Sequence, residues 1–436
     1  MDTPGTTTPA PPPRGPYDDL LLRRGPLFAA LAVAIVFGAL IHPWPDKFVF
    51  RNGGDCVRYL TWSRVVAAKG LFAFPGLVEE YRNRWVGFPP PTRWAWLLGI
   101  AGMMRLWPHA SDEYHPLVFL SWVGVLLAVI PVALWLRRKA PAPVVGMAML
   151  LVVTAPLGRA LGHFPLPDAL HATLTLVLFA LVAAMLRTPK GWHTWAIGLT
   201  TVAVLATREV GAINVLGAAS LVLVDWRQTG LLKRGPLWAL GVGCLAMVAI
   251  TIPLAGGPVQ LVLLAKDVVH AALFTSGALI YCSGPYYRYL VDFMVLSPVL
   301  VVTAIACIGP LRRRPDSRAL VDEVLAPTLV VLGLFSLLSK TLRYVMVVDT
   351  GMRILAALAV WAIWRGPLDE QGNEVGAGDR RWRRLLAIAL FIALVAHDLA
   401  IYRPLWGKDQ IYDPVTWGLT KYLRMIPSWG PGPPLD

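Results

Sequence analysis

Long apolar runs recur along almost the whole chain, and clusters of basic residues stand between alternate pairs of them. This pattern constrains the fold more than any motif. About 20 apolar residues let a helix cross a bilayer. In hydrocarbon a single span must be helical, because no water is present to satisfy its backbone. Composition agrees: 56% of the 436 residues are hydrophobic and 15% are charged, against about a quarter charged in a soluble domain. Mean hydropathy is +0.58. Eighteen Trp and twelve Tyr suit interfacial aromatic belts. A net charge of +14 would suggest nucleic acid in a soluble protein, but here Arg and Lys flank apolar spans. That is a topology signal, so no nucleic-acid partner is expected.

The basic clusters also assign sides. Residues 1–22, rich in Pro, Thr and Gly, read as a disordered cytoplasmic N-terminus. Arg23 and Arg24 precede the first span, 27–43, which has no cleavage site after it and reads as an anchor. Further spans are expected at 115–136, 143–160, 169–187, 193–207, 210–225, 236–255, 289–311, 323–339, 345–364 and 384–399. The result is an all-α integral membrane protein with about eleven transmembrane helices over residues 23–400. Its outer loops are 44–114, 161–168 and 256–288, and 401–436 is an extracytoplasmic tail. The setting expected is a bacterial cytoplasmic (inner) membrane. Within the first loop, PPPTRWAWLLGIAGMMRLW (89–107) contains Arg93 and Arg105 and has Trp at both ends. Were it to cross, Arg137, Arg138 and Lys139 would fall outside, so it reads as an interfacial helix. The spans look almost free of mid-membrane charge, with Asp292 the nearest exception.

The unusual charges gather at the outer helix ends: Asp55, Asp168, Arg208, Glu209, Lys340 and Arg343. Ionisable groups there are functional candidates, because burying them is costly. Asp55 follows Asn52-Gly53-Gly54 and precedes Arg58 and Tyr59. It either faces a ligand or caps a short helix, with even weight on each. Asp168, after Pro167, has the same two readings, with His163 as a candidate partner. Arg208 and Glu209 read first as a pair at a helix junction. Lys340, Arg343 and Tyr344 run against the positive-inside bias, which either lipid phosphate binding or snorkelling explains. The four cysteines form no CxxC or Cys/His cluster. A Cys56–Cys282 disulfide is left open. Phosphate-loop, zinc-protease and serine-hydrolase motifs are all missing from the sequence.

In their order, four segments resemble the GT-C glycosyltransferases: GGDCVRYL (53–60), FPPPTRWAWLLG (88–99), LPDALHATLTLVLF (166–179) and SGPYYRYLVDFMVLSP (283–298). RYVMVV (343–348) is similar to an Arg-Tyr step of protein mannosyltransferases and lipid A aminoarabinose transferases. The resemblance covers most of residues 27–365. It implies the GT-C fold and a membrane glycosyltransferase, with a polyprenyl-phosphate-linked sugar as donor and a hydroxyl acceptor, in contact with membrane lipids. Asp55 is then the general base and Asp168 orients the acceptor or Asp55. Tyr59, Arg58, His163, Arg208, Glu209, Tyr287, Lys340, Arg343 and Tyr344 line the substrates. This reading requires no metal or cofactor; a divalent metal is the alternative. The first loop has one Asp at the key point rather than an acidic pair, and TREVG carries Glu where many relatives are basic. The alternatives are a lipid or sugar transporter or flippase, and a non-catalytic membrane assembly subunit.

Overall fold

A computed structural model describes residues 16–42, 54–84, 89–108, 114–274, 284–338, 340–366 and 380–406. Every regular element among the described residues is helical. Helix α1 (Pro16–Ile41) leads to a layer of shorter helices, α2 (Gly54–Lys69), α3 (Phe74–Arg84) and α4 (Trp94–Leu106). The bundle continues with α5 (His115–Leu127), α6 (Val129–Leu136), α7 (Ala142–Thr154), α8 (Pro156–Gly162), α9 (Asp168–Arg187), α10 (Gly191–Thr207), α11 (Gly211–Thr229) and α12 (Gly235–Leu254). Then come α13 (Pro258–Phe274), α14 (Arg288–Leu296), α15 (Pro298–Arg313), α16 (Arg318–Leu337), α17 (Met346–Arg365) and α18 (Arg380–Trp406).

All eleven expected spans fall on helices of this set. Among the described residues six helices are long and apolar enough to cross a membrane, or up to eight if each sharply bent pair is one span. The chain is thus a multi-pass membrane protein, and that test does not confirm the count of eleven. Two expected spans are broken. Pro156 separates α7 from α8 at a 52° bend, and Pro298 separates α14 from α15 at 119°. Proline lacks the N–H a continuing helix needs and pushes the preceding residue out of helical conformation. Residues 1–15 lie outside the described residues, and 16–22 are the first turns of α1.

The centre of the bundle is α17, buried on all sides from Met346 to Val360. A helix apolar all round belongs in an interior. Small residues let neighbouring backbones close up: a Cβ on Gly124 of α5 would lie 2.8 Å from the Leu170 amide nitrogen of α9. The spans are not free of charge, contrary to the sequence expectation. Arg353 of α17 is fully buried between Asp349 of the same helix and Asp398 of α18. Each of these residues sits in an apolar run, which hides it from a composition scan.

A second core lies at the Asp55 end of the bundle. Tyr59, Trp62, Tyr81 and Trp96 from α2, α3 and α4 pack with Phe164, Leu166 and, from α13, Leu264 and Val268. Arg82 Nε pairs with Asp267 across 3.1 Å. The described parts of loops 44–114 and 256–288 are therefore one packed layer. Helix α4 has 13 residues, about 20 Å of helix, too short for a hydrocarbon core of about 30 Å. It packs on α2, α5 and α10 instead.

Candidate functional site

Four segments meet under this layer, and each is shaped locally to present its side chains. Asp55 occupies the first turn of α2, where a carboxylate faces the helix dipole favourably. One helical turn on, Tyr59 shares its face. The Pro89-Pro90-Pro91 run is followed by Thr92 and then Arg93, which sits at the start of α4. Between α10 and α11 the backbone is extended at Arg208 (φ −159°, ψ 135°), which splits Arg208 and Glu209 from both helices. A 3-10 turn at Leu342–Val345 carries Arg343 and Tyr344.

The contacts are charge-assisted throughout. Arg93 forms a fork with Glu209, Nε to Oε2 at 2.8 Å and Nη2 to Oε1 at 2.5 Å. Its remaining Nη1 donates to the Tyr59 hydroxyl. Arg208 pairs with Asp168 and lies 4.2 Å from the Tyr344 ring centroid. So Arg208 and Glu209 do not pair with each other, as the sequence suggested; each reaches to a different helix. Burial alone would raise the Glu209 carboxyl, but the Arg93 guanidinium more than offsets this and holds it at about 2. Burial likewise lifts the Tyr59 hydroxyl above its usual range, against the pull of Arg93 and with a push from Asp55 and Glu209.

Asp55 differs from the other carboxylates. It is half-buried and has no hydrogen-bond or ion-pair partner among the described residues. Its charge reaches Cys56, Arg58, Tyr59 and Arg93. Arg343 also acts on Cys56 and on Arg208, so the 3-10 turn lies within charge range of the start of α2. Asp55, Tyr59, Arg93, Arg208, Glu209, Asp168, Arg343 and Tyr344 thus form one cluster. Cys56 is a buried free thiol pushed up to about 12, first by burial and then by Asp55. Cys282 lies outside the described residues.

Four expected residues stand apart from that cluster. Arg58 is on the adjoining face of α2, 5.9 Å from the Trp62 ring centroid. His163 closes α8, with Nδ1 3.2 Å from the Tyr402 hydroxyl rather than beside Asp168. Tyr287 is exposed and edge-on to Tyr286. Lys340 is buried near Arg288, and its ammonium donates to the Leu338 carbonyl at 3.2 Å. The neighbouring Thr341 N–H donates to the Tyr289 hydroxyl at 2.9 Å, which ties the segment to α14. Sequence reasoning missed Arg93 as a site residue. Its signal was an arginine two residues after three prolines, at the start of a helix whose first eleven residues are apolar. Among the described residues no three His, Cys, Asp or Glu side chains gather as a metal-binding group.

No protein-family model matches the sequence, and no curated protein sequence does. Solved structures do match in fold. One is the archaeal oligosaccharyltransferase AglB from Archaeoglobus fulgidus, in complex with an inhibitory peptide and a dolichol-phosphate. It shares a TM-score of 0.58 and 13% identity over 95% of this chain and 62% of AglB. Another is ArnT from Cupriavidus metallidurans, with a TM-score of 0.51 in the apo state, 16% identity, and coverage of 91% of this chain and 75% of that one. ArnT bound to undecaprenyl phosphate gives 0.50 and 18%. The chain therefore has the GT-C fold that the order of its segments implied. It spans about three fifths of AglB's length.

Proposed function

We propose that this protein is a membrane glycosyltransferase that moves a sugar from a polyprenyl-phosphate donor to a hydroxyl acceptor on the extracytoplasmic face. The observation that carries this reading is the uncommitted carboxylate of Asp55 within a cluster whose other two carboxylates are locked in ion pairs. A carboxylate held by a guanidinium is a poor base, whereas one left open can take a proton. The likeness to ArnT bound to undecaprenyl phosphate adds support for a lipid-linked donor.

The chemistry follows from charge. The acceptor hydroxyl attacks the anomeric carbon as Asp55 takes its proton, the bond from that carbon to the phosphate oxygen breaks, and the lipid phosphate leaves as an anion. One displacement inverts the centre. Arg343 and Arg208 supply positive charge where that anion develops. Asp168 fixes Arg208, Glu209 fixes Arg93, and Arg93 holds the Tyr59 hydroxyl beside Asp55. The test is transfer by purified Asp55→Asn protein from a polyprenyl-phosphate sugar. Loss of a general base lowers the rate about 10²- to 10⁴-fold; normal turnover by the variant ends the role of Asp55 as base, and no transfer by the wild-type protein ends the transferase reading.

A further inference from the structure

Three helix ends meet beside the candidate site, those of α1, α8 and α18, and they bring together Arg159, His42, His163 and Tyr402. The Arg159 guanidinium carbon lies 4.0 Å from the Tyr402 ring centroid, and Nη2 donates to the Ile41 carbonyl at 3.0 Å. Its Nε is buried without a hydrogen-bond partner, and among the described residues no carboxylate pairs with it. Arg93, Arg187, Arg208 and Arg353, by contrast, each have a carboxylate partner. A half-buried guanidinium with no counter-ion is electrostatically incomplete.

The surroundings are built rather than loose. His42 is 1% exposed; its Nε2 is 2.9 Å from the Val153 carbonyl and its Nδ1 is buried and unpartnered. Trp122 Nε1 donates to the His42 carbonyl at 2.8 Å, which fixes the end of α1. The His42 and His163 rings meet edge-on at 6.0 Å, and His163 contacts the Tyr402 hydroxyl. The cluster is also close to the reaction centre. A Cβ on Gly158, the residue before Arg159, would lie 3.6 Å from Met346 Cε, and Met346 directly follows the 3-10 turn of Arg343 and Tyr344.

We propose that Arg159, framed by His42, His163 and Tyr402, is a second anion subsite that binds the phosphate of a membrane-borne acceptor beside the transfer centre. The word acceptor rests on the glycosyltransferase reading; the anion subsite does not. A planar guanidinium with an unused N–H suits a phosphate oxygen, and the aromatic ring beneath it limits its motion.

The test uses purified full-length protein and native mass spectrometry, titrating phosphatidylglycerol and, separately, diacylglycerol with the same tails. Arg159→Gln should weaken the tightest phosphatidylglycerol binding roughly ten- to hundredfold and leave diacylglycerol binding unchanged. Arg159→Lys keeps the charge and should bind within roughly tenfold of wild type; it also shows that a folded variant is being compared. Displacement by millimolar inorganic phosphate from wild type only supports a subsite for free phosphate, and resistance to it with loss in Arg159→Gln supports a lipid-borne ligand. Equal phosphatidylglycerol affinity of wild type and Arg159→Gln overturns the subsite. Because the readout is binding, loss in Arg159→Gln alongside no sugar transfer by the wild-type protein removes the transferase reading and leaves the subsite standing.

Discussion

Two charged regions of this molecule are made of the same groups and are finished differently. In the spans, Arg353 is held by Asp349 at 2.7 Å and by Asp398, donates to the Leu151 carbonyl at 2.9 Å, and Asp398 also accepts from Ser297 at 2.9 Å. Nothing reaches that network from outside, since Arg353 is 0% exposed. At the Asp55 end, Arg93 and Arg208 are likewise paired, yet Asp55 is left open and half-buried beside them. A closed network has spent its charges on holding helices together. An open one keeps a group ready for something that arrives. The two regions should therefore fail differently when cut.

The sharpest cut is Asp55→Asn. It should lower sugar transfer by about 10²- to 10⁴-fold with a loss of at most about 1 kcal/mol in unfolding, since only its favourable place at the start of α2 is given up. An unfolding temperature that falls in step with activity would put Asp55 in the same class as Asp349. Arg353→Met is the mirror case. It leaves two buried carboxylates uncompensated and should cost about 3–5 kcal/mol of stability, read as a loss of folded protein on purification. Replacing Asp349, Arg353 and Asp398 together by Leu, Met and Leu should recover most of that, because an apolar core of similar volume needs no counter-charge. If the triple variant transfers sugar like wild type, the network is structural; a well-folded but inactive triple variant erases the distinction.

How much of this contrast was legible in the sequence follows from how each group is placed. The open end could be read. Charge at a helix boundary stands out against apolar runs, and Asp55, Asp168, Arg208, Glu209 and Arg343 were all visible for that reason. The partners were not. Which carboxylate meets which guanidinium depends on helices brought together from 40 residues apart for Asp168–Arg208 and 116 for Arg93–Glu209. The closed network was overlooked because MRILAALAVWAIW, with one arginine among apolar residues, still scores as a span. The proline bends were misjudged for a related reason: hydropathy is blind to Pro156 and Pro298, which redirect the chain without making it polar.

A weaker effect separates the regions by pH. Glu209 is held at about 2 in the folded protein, below its ordinary 4.5. A carboxyl with a depressed folded value contributes stability above its unfolded value, and that contribution is lost as pH falls through the folded one. The window is thus from pH 4.5 down to about 2, worth about 3 kcal/mol at most. Thermal unfolding of wild type should be level above that window and fall within it, while Glu209→Gln should be lower at neutral pH and flatter across it. Identical profiles would mean that the Arg93–Glu209 fork does not hold the layer of α2 and α4 to the bundle.

The smallest expected effect tests whether the open region is preorganised. The Tyr344 ring lies under the Arg208 guanidinium, whose Nη1 is already committed to Asp168. A cation over an aromatic face gains about 0.5–2 kcal/mol, more when water is excluded. Tyr344→Phe keeps the ring face and is the control that isolates the stacking on Arg208 from any contact of the hydroxyl. Tyr344→Leu removes the ring face and should cost about 1 kcal/mol in the unfolding free energy. If Arg208 is held for the leaving phosphate by this stacking, Tyr344→Leu should lower the transfer rate beyond that, because a guanidinium free to swing must be reordered in each turnover. If instead the Asp168 pair alone fixes Arg208, the Leu variant loses stability but not rate. That outcome would move Tyr344 from the open, functional region into the company of Asp349 and Asp398, whose contacts hold helices and nothing else.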